Sequence, residues 1–163
     1  MLDKMHSSAS TRGGETVGLI SNMSDWEVQM VLNFRCWVSD ETGRNNVCKN
    51  FKLTFPPERA AEELWAFDNF LAKIAKNSYY PLAHNNQYCP YLGAHEAILV
   101  HMVSLASSGF LLEASQIASL IALPSQAEAI SLMAARIGNT MRDMVHQTPE
   151  SVKKLKVSSY SIH

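Results

Sequence analysis

The chain has 163 residues, is 47% apolar, and sets 14 Lys plus Arg against 15 Asp plus Glu. That length supports one domain with its own core, without disulfide or metal staples. A net charge of −1 and a pI near 6.6 give no general attraction to phosphate backbones or anionic lipid, so neither nucleic acid nor membrane is favoured as a partner.

Charged residues are only 18%, below the usual share of about 25%, and the chain carries eight Met and three Trp. This composition suggests surface covered by a protein partner or by a second copy, with a homodimer the expected assembly. Cys36, Cys48 and Cys89 are an odd number without a CxxC spacing, and the first residues, MLDKMHSSASTRGGET, contain no apolar h-region. A reducing, cytoplasmic setting without a secretory signal is the expectation.

Residues 1–22 are rich in Ser, Thr and Gly without periodicity and read as a disordered leader. Residues 23–148 then read as a single globular domain. Ser24 and Glu27 have the spacing of a capping box, which would start a helix. However, Val28, Met30, Leu32, Phe34, Cys36 and Val38 are apolar at every second position, which matches a strand. In the following run Phe51, Leu53 and Phe55 alternate with Asn50, Lys52 and Thr54, and SDETGRNN between the two runs is turn chemistry. Together they read as a β-hairpin over 28–55, pairing Leu32 with Leu53 and Phe34 with Phe51, with Trp37 on a partly uncovered outer face. That register sets Cys36 and Cys48 on opposite faces and disfavours a disulfide between them.

Pro56-Pro57-Glu58 opens a helix over about 57–77, with Leu64, Phe67, Leu71 and Ile74 on its buried stripe and Lys73 and Lys76 in its last turn. Residues 93–106 read as a helix apolar nearly all round and therefore central. The apolar run Ala97 to Leu112 falls short of the ~20 residues needed to span a bilayer. Ser107-Ser108-Gly109 ends this helix, and two more follow over about 111–122 and 126–145. The basic stretch 149–163 reads as a flexible tail. The expected fold is α+β: an N-terminal β-hairpin followed by about four α-helices in one mostly helical domain.

Between the first and second helices lies YYPLAHNNQYCPYLGAHE, Tyr79 to Glu96. It holds four of the five tyrosines, one cysteine, two histidines and two prolines. Four chemistries can be tested against it and its surroundings. For metal, His84, Cys89, His95, Glu96 and His101 are donor types, but His95 and His101 are six apart and point about 120° from each other on a helix. For a nucleophile, Cys89 lies near His84, His95 and a helix start, a setting that can lower a thiol pKa, yet a small apolar residue packing a loop is the simpler account. For DNA reading, ASQIASLIALPSQAEAISLMAARIG resembles a helix-turn-helix in outline, yet the second helix offers only Arg136 before Arg142. A helical hairpin in a core is the simpler account. No phosphate-cradling loop, nucleophile elbow or paired-carboxylate motif is present.

The fourth chemistry is recognition. Tyr79, Tyr80, Tyr88 and Tyr91, with His84, Asn86 and the neighbouring amides, combine rigid aromatic area with adaptable hydrogen bonding, the mixture used by interface hot spots. The sequence therefore points to a non-catalytic protein-interaction or regulatory module, self-associating or binding a protein partner through Tyr79, Tyr80, His84, Asn86, Tyr88, Tyr91 and Trp37. No cofactor or metal is called for. The alternative is a small-ligand- or metal-binding enzyme centred on His84, Cys89, His95 and Glu96, and no motif decides for or against catalysis.

Overall fold

The computed structural model describes residues 13–147. Strand β1 (Thr16–Leu19) leads through one 3-10 turn (Ile20–Asn22) into helices α1 (Asp25–Ser39), α2 (Glu41–Thr54) and α3 (Pro57–Asn77). The Tyr-rich connector follows, then strand β2 (Tyr91–Gly93) and helices α4 (Ala94–Ser107), α5 (Leu111–Ala118) and α6 (Pro124–Gln147). Among the described residues the fold is mostly helical, with these six helices and a two-stranded antiparallel sheet. The expected tail, 149–163, and the first half of the expected leader lie outside the described residues.

The sheet does not lie where the alternating pattern places it. Residues 28–55 are two helices, and the expected hairpin is corrected to α1 and α2. The capping box is the signal that holds: Glu27 Oε1 accepts the Ser24 backbone N–H at 3.2 Å. The alternation arises because α1 is covered on several sides, so that Gln29, Asn33 and Arg35 are buried alongside Met30, Val31 and Phe34. In α2 the repeat that matters is Val47, Phe51 and Phe55, four apart and all buried, while Leu53 is 86% exposed. Asp40, read as part of a hairpin turn, caps α2 by accepting the Gly43 N–H at 2.7 Å. Gly43 is required there, since a Cβ would stand 2.1 Å from the Cys36 carbonyl oxygen.

The observed strands lie far apart in sequence. β1 pairs with β2 with Leu19 opposite Tyr91 and Thr16 opposite Gly93, and a register shift falls between Thr16 and Gly18. Residues 16–22, assigned to the leader, are thus ordered structure. Glu15 O also accepts the N–H of Ala94, the first residue of α4, so the incoming chain satisfies one of that helix's free donors.

The helices from α3 onward follow their sequence signals closely. Pro57 occupies the first turn of α3, and Gly109, with φ of 91°, ends the α4 segment in the left-handed region. Pro124 begins α6, where its missing N–H costs nothing in the first turn. Although α4 is apolar nearly all round, α6 is the hub, packing against all five other helices. Gly138 allows the α4–α6 approach, because a Cβ would meet the Ser107 side chain at 2.4 Å. One core holds Phe51, Phe67, Phe70, Met102, Ile130 and Met141. Within it the Asn33 amide donates to Met141 Sδ at 3.3 Å, a polar group satisfied by a sulfur acceptor.

The two readings of residues 47–55 give opposite mutational outcomes. Phe51→Ala should lower stability by about 3–5 kcal/mol in chemical denaturation. Leu53→Ala should change it by less than about 0.5 kcal/mol, where a hairpin would bury both residues alike.

Candidate functional site

Helix α1 carries Arg35 into the interior, where it meets Glu96 in the first turn of α4. Both side chains are 0% exposed, and Arg35 Nε lies 2.7 Å from Glu96 Oε1. Arg35 Nη2 donates to Glu96 Oε2 at 2.9 Å, completing a two-pronged pair. The remaining guanidinium donors reach the connector backbone: Nη1 to Asn86 O at 3.2 Å and to Cys89 O at 2.8 Å, and Nη2 to Tyr91 O at 2.7 Å. All five N–H donors of Arg35 are thereby used.

Glu96 is equally committed. Its Oε1 also accepts the Asn85 N–H and its Oε2 the Gly93 N–H, both at 2.9 Å. Burial alone would raise this carboxyl's pKa, but the Arg35 hydrogen bonds, the Gly93 and Asn85 N–H groups and the Arg35 charge outweigh burial and hold it below the ordinary carboxylate range. Two buried charges in contact are tolerable only when every donor and acceptor is filled, and here each is. The connector backbone is consequently fixed at Asn85, Asn86, Cys89, Tyr91 and Gly93.

With the backbone held from inside, the side chains face outward. Tyr79, Tyr80, Tyr88 and Tyr91 are all exposed, and none of their hydroxyls has a partner among the described residues. Tyr79, Tyr80, Pro81 and Leu82 line an apolar cleft of about 420 Å³, backed by Phe34 and Leu71. His84 sits at its edge, with its ring packed edge-on against Phe34 at 6.1 Å between centroids. On the other side of His84 a polar cleft of about 540 Å³ runs past Asn86 and Tyr88 to Asp40 and Asn46. Every connector residue proposed for recognition thus borders one of these clefts or stands exposed beside them. Trp37 does not form an open face: it meets Phe67 edge-on with centroids 5.8 Å apart, and the Arg44 guanidinium lies over its ring.

The alternative site is not assembled as a donor cluster. Glu96 is occupied by Arg35, and His95 Nδ1 accepts the Ala83 N–H at 2.8 Å, which together with a pKa lowered by burial keeps this ring neutral. His84 is exposed, and Cys89 contributes its backbone carbonyl rather than its thiol to the Arg35 network. His101 lies on the exposed side of α4. Among the described residues no three His, Cys, Asp or Glu side chains are grouped to hold a metal ion. All three cysteines are free, and Cys36 donates to Gln87 Oε1 at 3.0 Å, its thiol pKa raised chiefly by burial.

Sequence reasoning missed Arg35. The alternating pattern of 28–38 puts it among the intervening residues on the outer face of the expected hairpin, although an arginine between Phe34 and Cys36 is itself compatible with a buried, paired charge. No family model matches this chain, and no curated protein or solved structure matches it either.

Removing one charge of the pair strands the other. Glu96→Gln should destabilise the protein by about 3–5 kcal/mol at neutral pH. Because the folded-state pKa of Glu96 is lowered, its contribution is complete above an ordinary carboxylate pKa of about 4.3 and is lost as pH falls through the folded value. Thermal melts should therefore show the gap between wild type and Glu96→Gln narrowing on acidification below about pH 4. A gap that widens would contradict the assigned charge state.

Proposed function

We propose that this chain is a non-catalytic interaction or regulatory module that binds a protein partner, or a second copy of itself, through the connector from Tyr79 to Tyr91. The observation that carries this reading is the pairing of a backbone pinned by Arg35 with four exposed tyrosines whose hydroxyls have no partner among the described residues. A recognition loop already held in one conformation loses little freedom on binding, so more of its contact energy appears as affinity. Tyrosine supplies large contact area with few rotatable bonds. The apolar cleft beside Tyr79 and Tyr80 offers a place for an anchoring side chain, and Asn86 and Gln87 offer polar contacts at its rim.

A reducing, cytoplasmic setting belongs to the same proposal and accords with three free cysteines. Among the described residues no helix is long and apolar enough to cross a membrane. The enzyme reading centred on His84, Cys89, His95 and Glu96 draws no support from the geometry, because Glu96 has no uncommitted lone pair and His95 Nδ1 is bound to backbone.

Affinity capture with the tagged chain and mass spectrometry tests the proposal. Tyr80→Ala and Tyr88→Ala should each reduce recovery of a specific partner about tenfold. Their unfolding free energies should stay within about 0.5 kcal/mol of wild type. Destabilisation by several kcal/mol in both would mean that the tyrosines serve the fold instead. Sedimentation equilibrium addresses the self-binding form, which a strict monomer at all concentrations would remove.

A further inference from the structure

A second groove lies away from the connector, between α3 and α6. It encloses about 840 Å³ and is walled by Trp65, Asn69, Lys73 and Lys76 on α3 and by Met133 and Arg136 on α6. The two helices run antiparallel: Leu123 N–H bonds Asn77 O at one end, and Arg136 approaches Glu63 at 3.4 Å towards the other. Each helix contributes a stripe roughly 15 Å long at about 1.5 Å per residue, the length of about three helical turns or a short extended segment. Ala66, Ala72 and Met133 add apolar surface to its lining.

Three features mark this groove as more than a seam between helices. Trp65 is 69% exposed, a large apolar side chain placed where water reaches it. The lining holds three cations and no carboxylate, in a chain whose net charge is −1. Lys73 and Lys76 form no ion pair among the described residues, whereas Arg136 shares its charge with Glu63. Finally, Asn69 Nδ2 in the groove wall is buried without a hydrogen-bond partner among the described residues.

We propose that the α3–α6 groove is a docking site for an acidic peptide segment of a partner protein, its carboxylates meeting Lys73 and Lys76 and an apolar or aromatic side chain lying against Trp65 and Met133. Length favours a peptide over a compact ligand, and charge selects an acidic one. The site shares no lining residue with the cleft at Tyr79 and Tyr80, so the two surfaces can be tested separately.

The test is selection from a displayed library of random decapeptides on the full chain, followed by fluorescence anisotropy with the enriched sequences. The expected result is enrichment of Asp and Glu around one aromatic or large apolar residue. Binding should fall about tenfold in the Lys73→Glu/Lys76→Glu variant, decline with added salt, and persist in Tyr80→Ala. Neither lysine forms an ion pair among the described residues, and because Lys76 stands in the last turn of α3, where cations are favoured, the melting temperature of the double variant serves as the check on folding. Neutral or basic consensus sequences, or acidic ones that bind the double variant equally well, overturn the proposal. So does pyrophosphate binding abolished by Lys73→Glu/Lys76→Glu without any peptide consensus, which makes the groove a small-anion site. A dimer broken by the same substitutions without peptide binding identifies a second copy as the occupant and likewise overturns it.

Discussion

The contact between Arg35 and Glu96 ties α1 to the connector and to the first turn of α4 at one buried point. A guanidinium has five donors in a fixed plane, and a carboxylate has four acceptor positions. Here two carboxylate oxygens, three backbone carbonyls and two backbone N–H groups fill that inventory without remainder. Lysine, a point charge with three donors, would leave part of the connector backbone unpaired. Buried ion pairs add little net stability over apolar packing of the same volume, whereas loss of one member is expensive. What the pair supplies is position: α1, the connector, β2 and α4 are referred to one point.

Around that point the molecule sorts its chemistry by depth. Polar groups that hold the connector lie inside, and the aromatic groups that could meet a partner lie outside, an inversion of the usual distribution. Helix α3 separates the two candidate surfaces. Its Leu71 and Ala75 back the cleft at Tyr79, while Ala72, Lys73 and Lys76 face the groove toward α6. The short ion network of Arg59, Glu63, Arg136 and Asp143 ties α3 to α6 at the far end of the groove, with Thr140 also donating to Glu63. Mostly exposed pairs of this kind orient helices more than they stabilise them.

The helices with clear punctuation were legible in the sequence. Pro57 and Gly109 mark real boundaries, and the stripe of Phe67, Leu71 and Ile74 is buried as its periodicity implies. Two helices were not legible, for one reason. Gln29, Asn33 and Arg35 alternate with apolar neighbours and mimic the wet face of a strand, yet each is buried in a helix covered on several sides. Alternation diagnoses a strand only when the polar positions reach water, and sequence alone does not say whether they do. The same misreading hid the site, because it turned Arg35 outward. The connector itself was located correctly, since its tyrosines, prolines and histidines stand out by composition, while the partner of Glu96 depended on long-range packing that no local pattern reveals.

The pairing of β1 with β2 has a consequence for the order of assembly. The helical hairpins α1–α2 and α4–α5 are local and can form as soon as their residues exist. The sheet cannot: three helices and the connector intervene between its strands, and closing so long a loop carries an entropic penalty that only later contacts offset. The strands are short, with Val17 and Leu19 exposed, so little is gained until the rest is in place. Until then the first N–H of α4 waits for Glu15. By contact order the sheet is expected to act as a latch rather than a seed, closing after the local helical hairpins have packed.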